Sequence, residues 1–204
     1  MPPSATHPDL TRATAPILTA LALVATPVAA EADGAFQLAP FKDDLFAYQR
    51  VLESRYDGAY RKIEYDRPRD LYGRDAVTGE KAEDRYVSLD TRSVEADAVL
   101  EIGGREIRFV ATGAIDGGAR MIVVFVHGRG TDRLAGANDW IHGGNFNRIK
   151  NLMMRNGGVY LSPDFPGFGR RAADTVAALL LHYAALSPGA PVFLACASWG
   201  GKIC

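Results

Sequence analysis

Met121-Ile122-Val123-Val124-Phe125-Val126-His127-Gly128-Arg129-Gly130 is the stretch on which the fold turns. Its first six residues form an unbroken apolar run rich in β-branched side chains. A half-exposed strand alternates; a run without alternation is the composition of a strand buried on both faces of a parallel sheet. The His-Gly-Arg-Gly that follows then stands at the strand's carboxyl end, where open α/β sheets place their ligands. Downstream, Phe146, Ile149, Leu152 and Met153 line one face of a helix stopped by Gly157-Gly158. A strand is predicted over 159–165. Ala173, Val176, Leu179, Leu180 and Tyr183 line a second helix, ended by Ser187-Pro188-Gly189, and a further strand spans 192–197. Upstream, 98–111 reads as two strands joined by a hairpin at Gly103-Gly104, with another strand over 85–92. In 41–56 the spacing of Leu45, Tyr48, Val51, Leu52 and Tyr56 predicts a short amphipathic helix, and 57–84, charged and tyrosine-rich without period, predicts a surface loop. Antiparallel strands first and β-α-β-α-β afterwards define an α/β class, a mostly parallel sheet flanked by helices.

Composition is consistent with this. Of 204 residues 48 % are hydrophobic and 23 % charged, which excludes disorder and supplies a sizeable core. With 23 basic and 24 acidic side chains, the net charge of -1 gives no electrostatic reason to bind nucleic acid or an anionic membrane. Cys196 and Cys204 are the two cysteines, so no disulfide framework is expected to hold the fold. The first 30 residues read as an export signal: an uncharged stretch over 13–30 holds an apolar centre at 17–24, follows Arg12, and ends in Pro27-Val28-Ala29-Ala30. Small residues at Val28 and Ala30 suit cleavage near Ala30, and the stretch is too short for a stable membrane anchor. A periplasmic or secreted protein is expected, divided into a signal peptide (1–30), an N-terminal helix and surface segment (31–84), and an α/β domain (85–204).

Three loops after the three parallel strands carry chemistry. Cys196-Ala197-Ser198-Trp199-Gly200-Gly201 places a serine between small residues at a strand-to-helix junction, the arrangement of a tight turn that lifts the hydroxyl clear of the sheet. Read alone, Ser198 is equally a helix N-cap. In His127-Gly128-Arg129-Gly130 the glycines let backbone N–H groups approach a ligand oxygen, and His127 reads as a structural residue at a strand end. Asp164-Phe165-Pro166-Gly167-Phe168-Gly169 forms the third loop. Its extension, Gly167 to Ala172, imitates a dinucleotide fingerprint, yet the next strand end, 195–198, offers no acid to hold a ribose.

Taken together, the three loops resemble the α/β-hydrolase superfamily in their order and spacing, over residues 85–204. The resemblance implies a serine hydrolase that cleaves a small-molecule ester or amide, without metal or organic cofactor. Ser198 resembles the nucleophile, and the backbone N–H groups of Arg129 and Trp199 would form the oxyanion hole. Cys196 stands where the family's commonest residue is glycine. In that family the acid and the histidine follow the nucleophile, whereas this sequence runs six residues past Ser198 and contains neither there. The reading is therefore of a C-terminally incomplete member, up to the nucleophile elbow, with little activity of its own. His142, in a Gly/Asn-rich loop, and His182, in the second helix stripe, are the remaining histidines of the domain; Lys202 lies four residues after Ser198 and does not fit a Ser-x-x-Lys spacing. Trp140, Phe146 and Phe168 are candidates to line an acyl pocket. Two competitors stand beside the hydrolase: a catalytically dead binding module on the same scaffold, and a dinucleotide-binding domain on Gly167 to Ala172. The strand over 192–197 would present the apolar edge from Pro191 to Cys196 without a gatekeeping lysine, which favours self-association through that edge.

Overall fold

The computed structural model describes residues 38–47 and 49–204. The expected leader and its cleavage point near Ala30 lie outside the described residues, as does Tyr48. Fourteen named elements follow: α1 (Asp43–Phe46), β1 (Val51–Arg55), β2 (Tyr60–Ile63), α2 (Arg67–Asp70), β3 (Asp75–Val77), β4 (Lys81–Ala82), β5 (Glu95–Ile102), β6 (Arg105–Gly113), β7 (Ile122–Val126), α3 (Arg133–Ala137), α4 (Asn145–Arg155), β8 (Val159–Pro163), α5 (Arg170–Leu186) and β9 (Val192–Cys196). Five strands form the main sheet in the order β5-β6-β8-β7-β9. β6 is antiparallel to both β5 and β8, while β7 is parallel to β8 and to β9. Four of the five strands therefore share one direction. The sheet is mostly parallel, as 121–197 predicts.

β7 lies inside the sheet with all five residues buried. Ile122, Val124 and Val126 point to the face covered by Val176, Leu179 and Tyr183 of α5. Val123 and Phe125 point to the other face, against Phe146 and Met153 of α4. The absence of alternation in the sequence thus has its cause: each face has its own helix. Each such side chain contributes about 1.5–3 kcal/mol by leaving water. A fully buried Lys150 on α4 bonds Glu95 and Asp139, both at 2.7 Å, and so ties that helix across to the start of β5. No helix among the described residues is long and apolar enough to cross a membrane.

Two expectations for the N-terminal region are corrected. The helix over 41–56 is confined to α1. Lys42 enters it at φ +51, Ala47 leaves in an extended conformation, and Val51 to Arg55 pair instead with β2. Leu52 and Val51 are exposed there, so the helical spacing of apolar residues had no core to face. The segment 57–84 is more than loop, since it holds α2 and two small hairpins. The strand expected over 85–92 is replaced by 3₁₀ turns at Asp84–Tyr86 and Leu89–Val94. Asn147 explains why: its Oδ1 accepts from Ser88 N at 2.9 Å and its Nδ2 donates to Ser88 O at 2.7 Å. A buried side chain supplies the partners that a neighbouring strand would have supplied.

Candidate active site

The chain leaves the sheet at Ala197, whose N–H still donates to Val126 O at 3.0 Å. It then turns through Ser198 at φ +49, a left-handed conformation for a residue with a Cβ. That backbone costs about 1–3 kcal/mol and persists only where its surroundings impose it. The imposing contacts are specific. Gly200 N donates to Ala197 O at 2.7 Å, and a Cβ on Gly200 would collide with Val126 O and lie 2.7 Å from His127 O. The turn is thus pressed onto the end of β7, and only glycine fits at position 200. Ser198 is not a helix cap: the cap position of the 3₁₀ turn Ser198–Lys202 belongs to Ala197, with no side-chain bond. Among the described residues Ser198 Oγ has no hydrogen-bond partner.

The loop after β7 runs beside this serine. A Cβ on Gly128 would stand 3.2 Å from Ser198 Cβ and 3.9 Å from its Oγ, so glycine leaves room beside the exposed hydroxyl. The Arg129 guanidinium lies over the Trp199 ring at 5.3 Å, and Lys202 Nζ lies over the same ring at 4.7 Å. Among the described residues neither the Arg129 nor the Trp199 backbone N–H donates to a protein acceptor. His127 is buried; its Nδ1 donates to Gly128 O at 2.9 Å, and its ring stacks on Phe165 at 4.0 Å.

Phe165 and Phe168 carry the loop after β8 into the same cluster, Phe168 meeting the Trp199 ring at 5.8 Å. Asp164 at the head of that loop is an anchor: it accepts from Arg133 N at 2.8 Å and from the Arg133 guanidinium at 3.0 Å. The guanidinium also bonds Asp97 on β5 at 2.8 Å. That bond holds the Asp97 carboxyl below the usual carboxylate range, and the two acids together raise Arg133. The post-β7 and post-β8 loops are thereby locked to one another.

The structure brings together Ser198, Arg129, Trp199, Gly128 and Phe168. Other candidates lie elsewhere. His182 belongs to the last turns of α5, whose end bonds Gly118 and Ala119 before β7 begins, at the opposite end of the sheet. His142 is exposed, at φ +53, with its ring edge-on to Phe146 at 5.4 Å. Phe146 packs on Phe125 in the core, and Trp140 meets Lys81 at 4.9 Å near the N-terminal hairpins. Neither lines a pocket at Ser198. No protein atom lies within 4 Å of where a Cβ on Gly167 or Gly169 would stand, so packing within the chain does not demand glycine at either position. A groove of about 460 Å³ between Arg105, Arg108, Asp164, Phe165 and Arg171 adjoins the second loop without reaching Ser198. Among the described residues no group of His, Cys, Asp or Glu gathers to hold a metal.

Two features escaped the sequence reading. Cys196 and Cys204 form a disulfide, with Cα atoms 6.6 Å apart; it is a local clamp across the serine turn and not a framework for the fold. The cysteines' positions on either side of the turn were the signal. Arg133 was the other omission, an arginine without motif whose two acids lie far from it in sequence.

No protein-family model matches the sequence, and no curated protein is similar to it. Among solved structures the chain is similar to a cold-adapted esterase from an Arctic intertidal metagenomic library, at 19 % identity and a TM-score of 0.38 over 53 % of this chain. It is also similar to the Cif epoxide hydrolase from Acinetobacter nosocomialis, at 15 % identity and a TM-score of 0.37 over 72 % of this chain. The chain spans 52 % and 43 % of the lengths of those two proteins. Likeness at this level carries no argument about activity; the α/β class rests on the sheet and helices described above.

Proposed function

We propose that this chain carries the nucleophile of a serine hydrolase of α/β-hydrolase type that cleaves a small-molecule ester or amide through an acyl-enzyme on Ser198. The observation that carries the reading is Ser198 itself, strained at φ +49 and exposed at the carboxyl end of the sheet beside Gly128. A residue that merely connected a strand to a helix would relax this conformation; holding an exposed hydroxyl in it has a use when the hydroxyl reacts. Ser198 Oγ attacks the carbonyl carbon as its proton passes to solvent water, and the carbonyl oxygen takes up the negative charge. In this reading the Arg129 and Trp199 N–H groups, which have no protein acceptor among the described residues, stabilise that charge. The bond to the alcohol or amine then breaks, the leaving group takes a proton from water, and the acyl group stays on Ser198 until a second water hydrolyses it.

No imidazole or carboxylate bonds Ser198 Oγ among the described residues. An oxyanion pocket and binding alone retain about 10³–10⁴-fold catalysis over water, with or without the serine, so slow turnover by itself does not test the reading. Intact-protein mass spectrometry after treatment with a nitrophenyl ester does: an acyl adduct on Ser198 is expected, and none on Ser198→Ala. The same absence of adduct from both proteins would refute the reading. The unpartnered Ser198 Oγ is equally compatible with a second reading, a binding module on the same scaffold; it predicts ligand affinity without any acylation. Export to the periplasm or beyond belongs to the proposal as well, and a disulfide is stable in such an oxidising compartment.

A further inference from the structure

We infer that the Cys196–Cys204 disulfide is a positioning element for Ser198, so that the reactivity of the serine depends on the redox state of its surroundings. The redox dependence rests on the serine reading above; the positioning does not. β9 has β7 as its strand partner, and the last rung of that ladder is Val126 with Cys196. Beyond this rung the chain leaves the sheet, reverses through Ser198 and arrives at Cys204. After Ala197, whose N–H still donates to Val126 O at 3.0 Å, the hydrogen bonds of the segment are short-range: Gly200 N to Ala197 O at 2.7 Å, Ile203 N to Gly200 O at 2.9 Å and Cys204 N to Gly200 O at 3.3 Å. Ile203 packs on the core as one partly buried anchor, while Trp199, Phe193 and Leu194 are exposed. The contacts with the end of β7 are made at Ala197 and Gly200; the far end of the turn, 201–204, has fewer and opens locally unless something closes it. The disulfide does so, joining the last strand residue to the far end of the turn.

Reduction is a two-electron exchange. A dithiol such as dithiothreitol attacks one sulfur, and its second thiol completes the reaction. The protein S–S bond breaks, two electrons and two protons pass to Cys196 and Cys204, and the reductant leaves as its cyclic disulfide.

The test is amide hydrogen exchange on the whole chain, oxidised and reduced, with alkylation counting free thiols in each state. Reduction is expected to speed exchange at Gly200 and Ile203 about tenfold and to leave the β7 amides unchanged. Cys204→Ser is expected to show the fast exchange without reductant and no response to it. Unchanged exchange at Gly200 and Ile203 after two thiols have been released would overturn the inference, as would two free thiols before any reductant is added. A fluorophosphonate probe reads the consequence: labelling of Ser198 slows about tenfold on reduction and recovers on reoxidation with oxidised glutathione. Accelerated exchange with no labelling in the oxidised state would leave the positioning intact and refute the serine reading instead. Labelling at equal rates in both states would overturn the redox dependence.

Discussion

β7 and β9 are parallel neighbours of nearly the same composition, one Ile-Val-Val-Phe-Val and the other Val-Phe-Leu-Ala-Cys. They are paired residue for residue, with Val124 opposite Leu194. Yet Val124 is 0 % exposed and Leu194 45 %. The difference lies in the neighbours. β7 has a strand on each side and a helix on each face, whereas β9 has a strand on one side and little above or below it. An apolar run states that a strand is made to be covered; which elements cover it is a property of the assembled sheet. The candidate site follows the same division, because the strained serine leaves the sheet from the poorly covered strand and leans for support on the well-covered one.

The sharpest way to break this comparison is a charge in the shared register row. Val124→Asp is expected to cost 4 kcal/mol or more, about the upper end for a single substitution, because an unpaired carboxylate enters the core. Leu194→Asp is expected to cost less than about 1 kcal/mol. Urea unfolding of the two variants decides it, and equal losses would mean that β9 is covered in solution. The cover over β7 can be weakened from the helix side. Lys150→Met leaves Glu95 without its cation and Asp139 with only the longer contact to Arg92 at 3.7 Å, and is expected to cost about 3–5 kcal/mol; removal of the exposed Arg108–Glu106 pair should change stability by less than about 1 kcal/mol.

At the junction of the two strands, Gly200→Ala drives a Cβ into the Val126 carbonyl and is expected to cost about 1–3 kcal/mol. Gly201→Ala, with open space around it, should be neutral within about 0.5 kcal/mol. Chemical denaturation separates them, and matching losses would show that the turn does not lean on β7. The smallest effect concerns pH. The Arg133 bond lowers the folded-state pKa of Asp97, so its stabilisation is present above the unfolded value of about 3.9 and is lost as pH falls through the folded value. Asp97→Asn is therefore expected to destabilise by under about 1 kcal/mol at pH 7, since the pair is partly exposed, with the difference from wild type vanishing in acid. A difference that persisted in strong acid would point to packing rather than charge.

Legibility in the sequence followed the same line between local and distant causes. β7, α4, β8, α5 and β9 could be read because each carries its own period and its own stop. The hairpin at Gly103-Gly104 was legible for the same reason, and its residues take φ +58 and +73. The 3₁₀ turns over Asp84–Val94 were not, since the side chain that satisfies Ser88 lies on α4, 59 residues away. Nor could the spacing in 41–56 distinguish a helix from a ribbon whose apolar residues stay exposed. At the site, the small residues around Ser198 announced the turn, but nothing near Asp164 announced that Arg133 would hold it. The cysteine pair was too short-range to read as a framework and was overlooked as a clamp.

The central claim is that a strained serine, held by the end of β7, is reactive. Intact-protein mass spectrometry after treatment with a fluorophosphonate, followed by peptide mapping, tests it most directly. The account predicts one adduct, on Ser198, absent from Ser198→Ala and much slower to form in Gly200→Ala. No adduct on Ser198 in the folded, oxidised chain would contradict it.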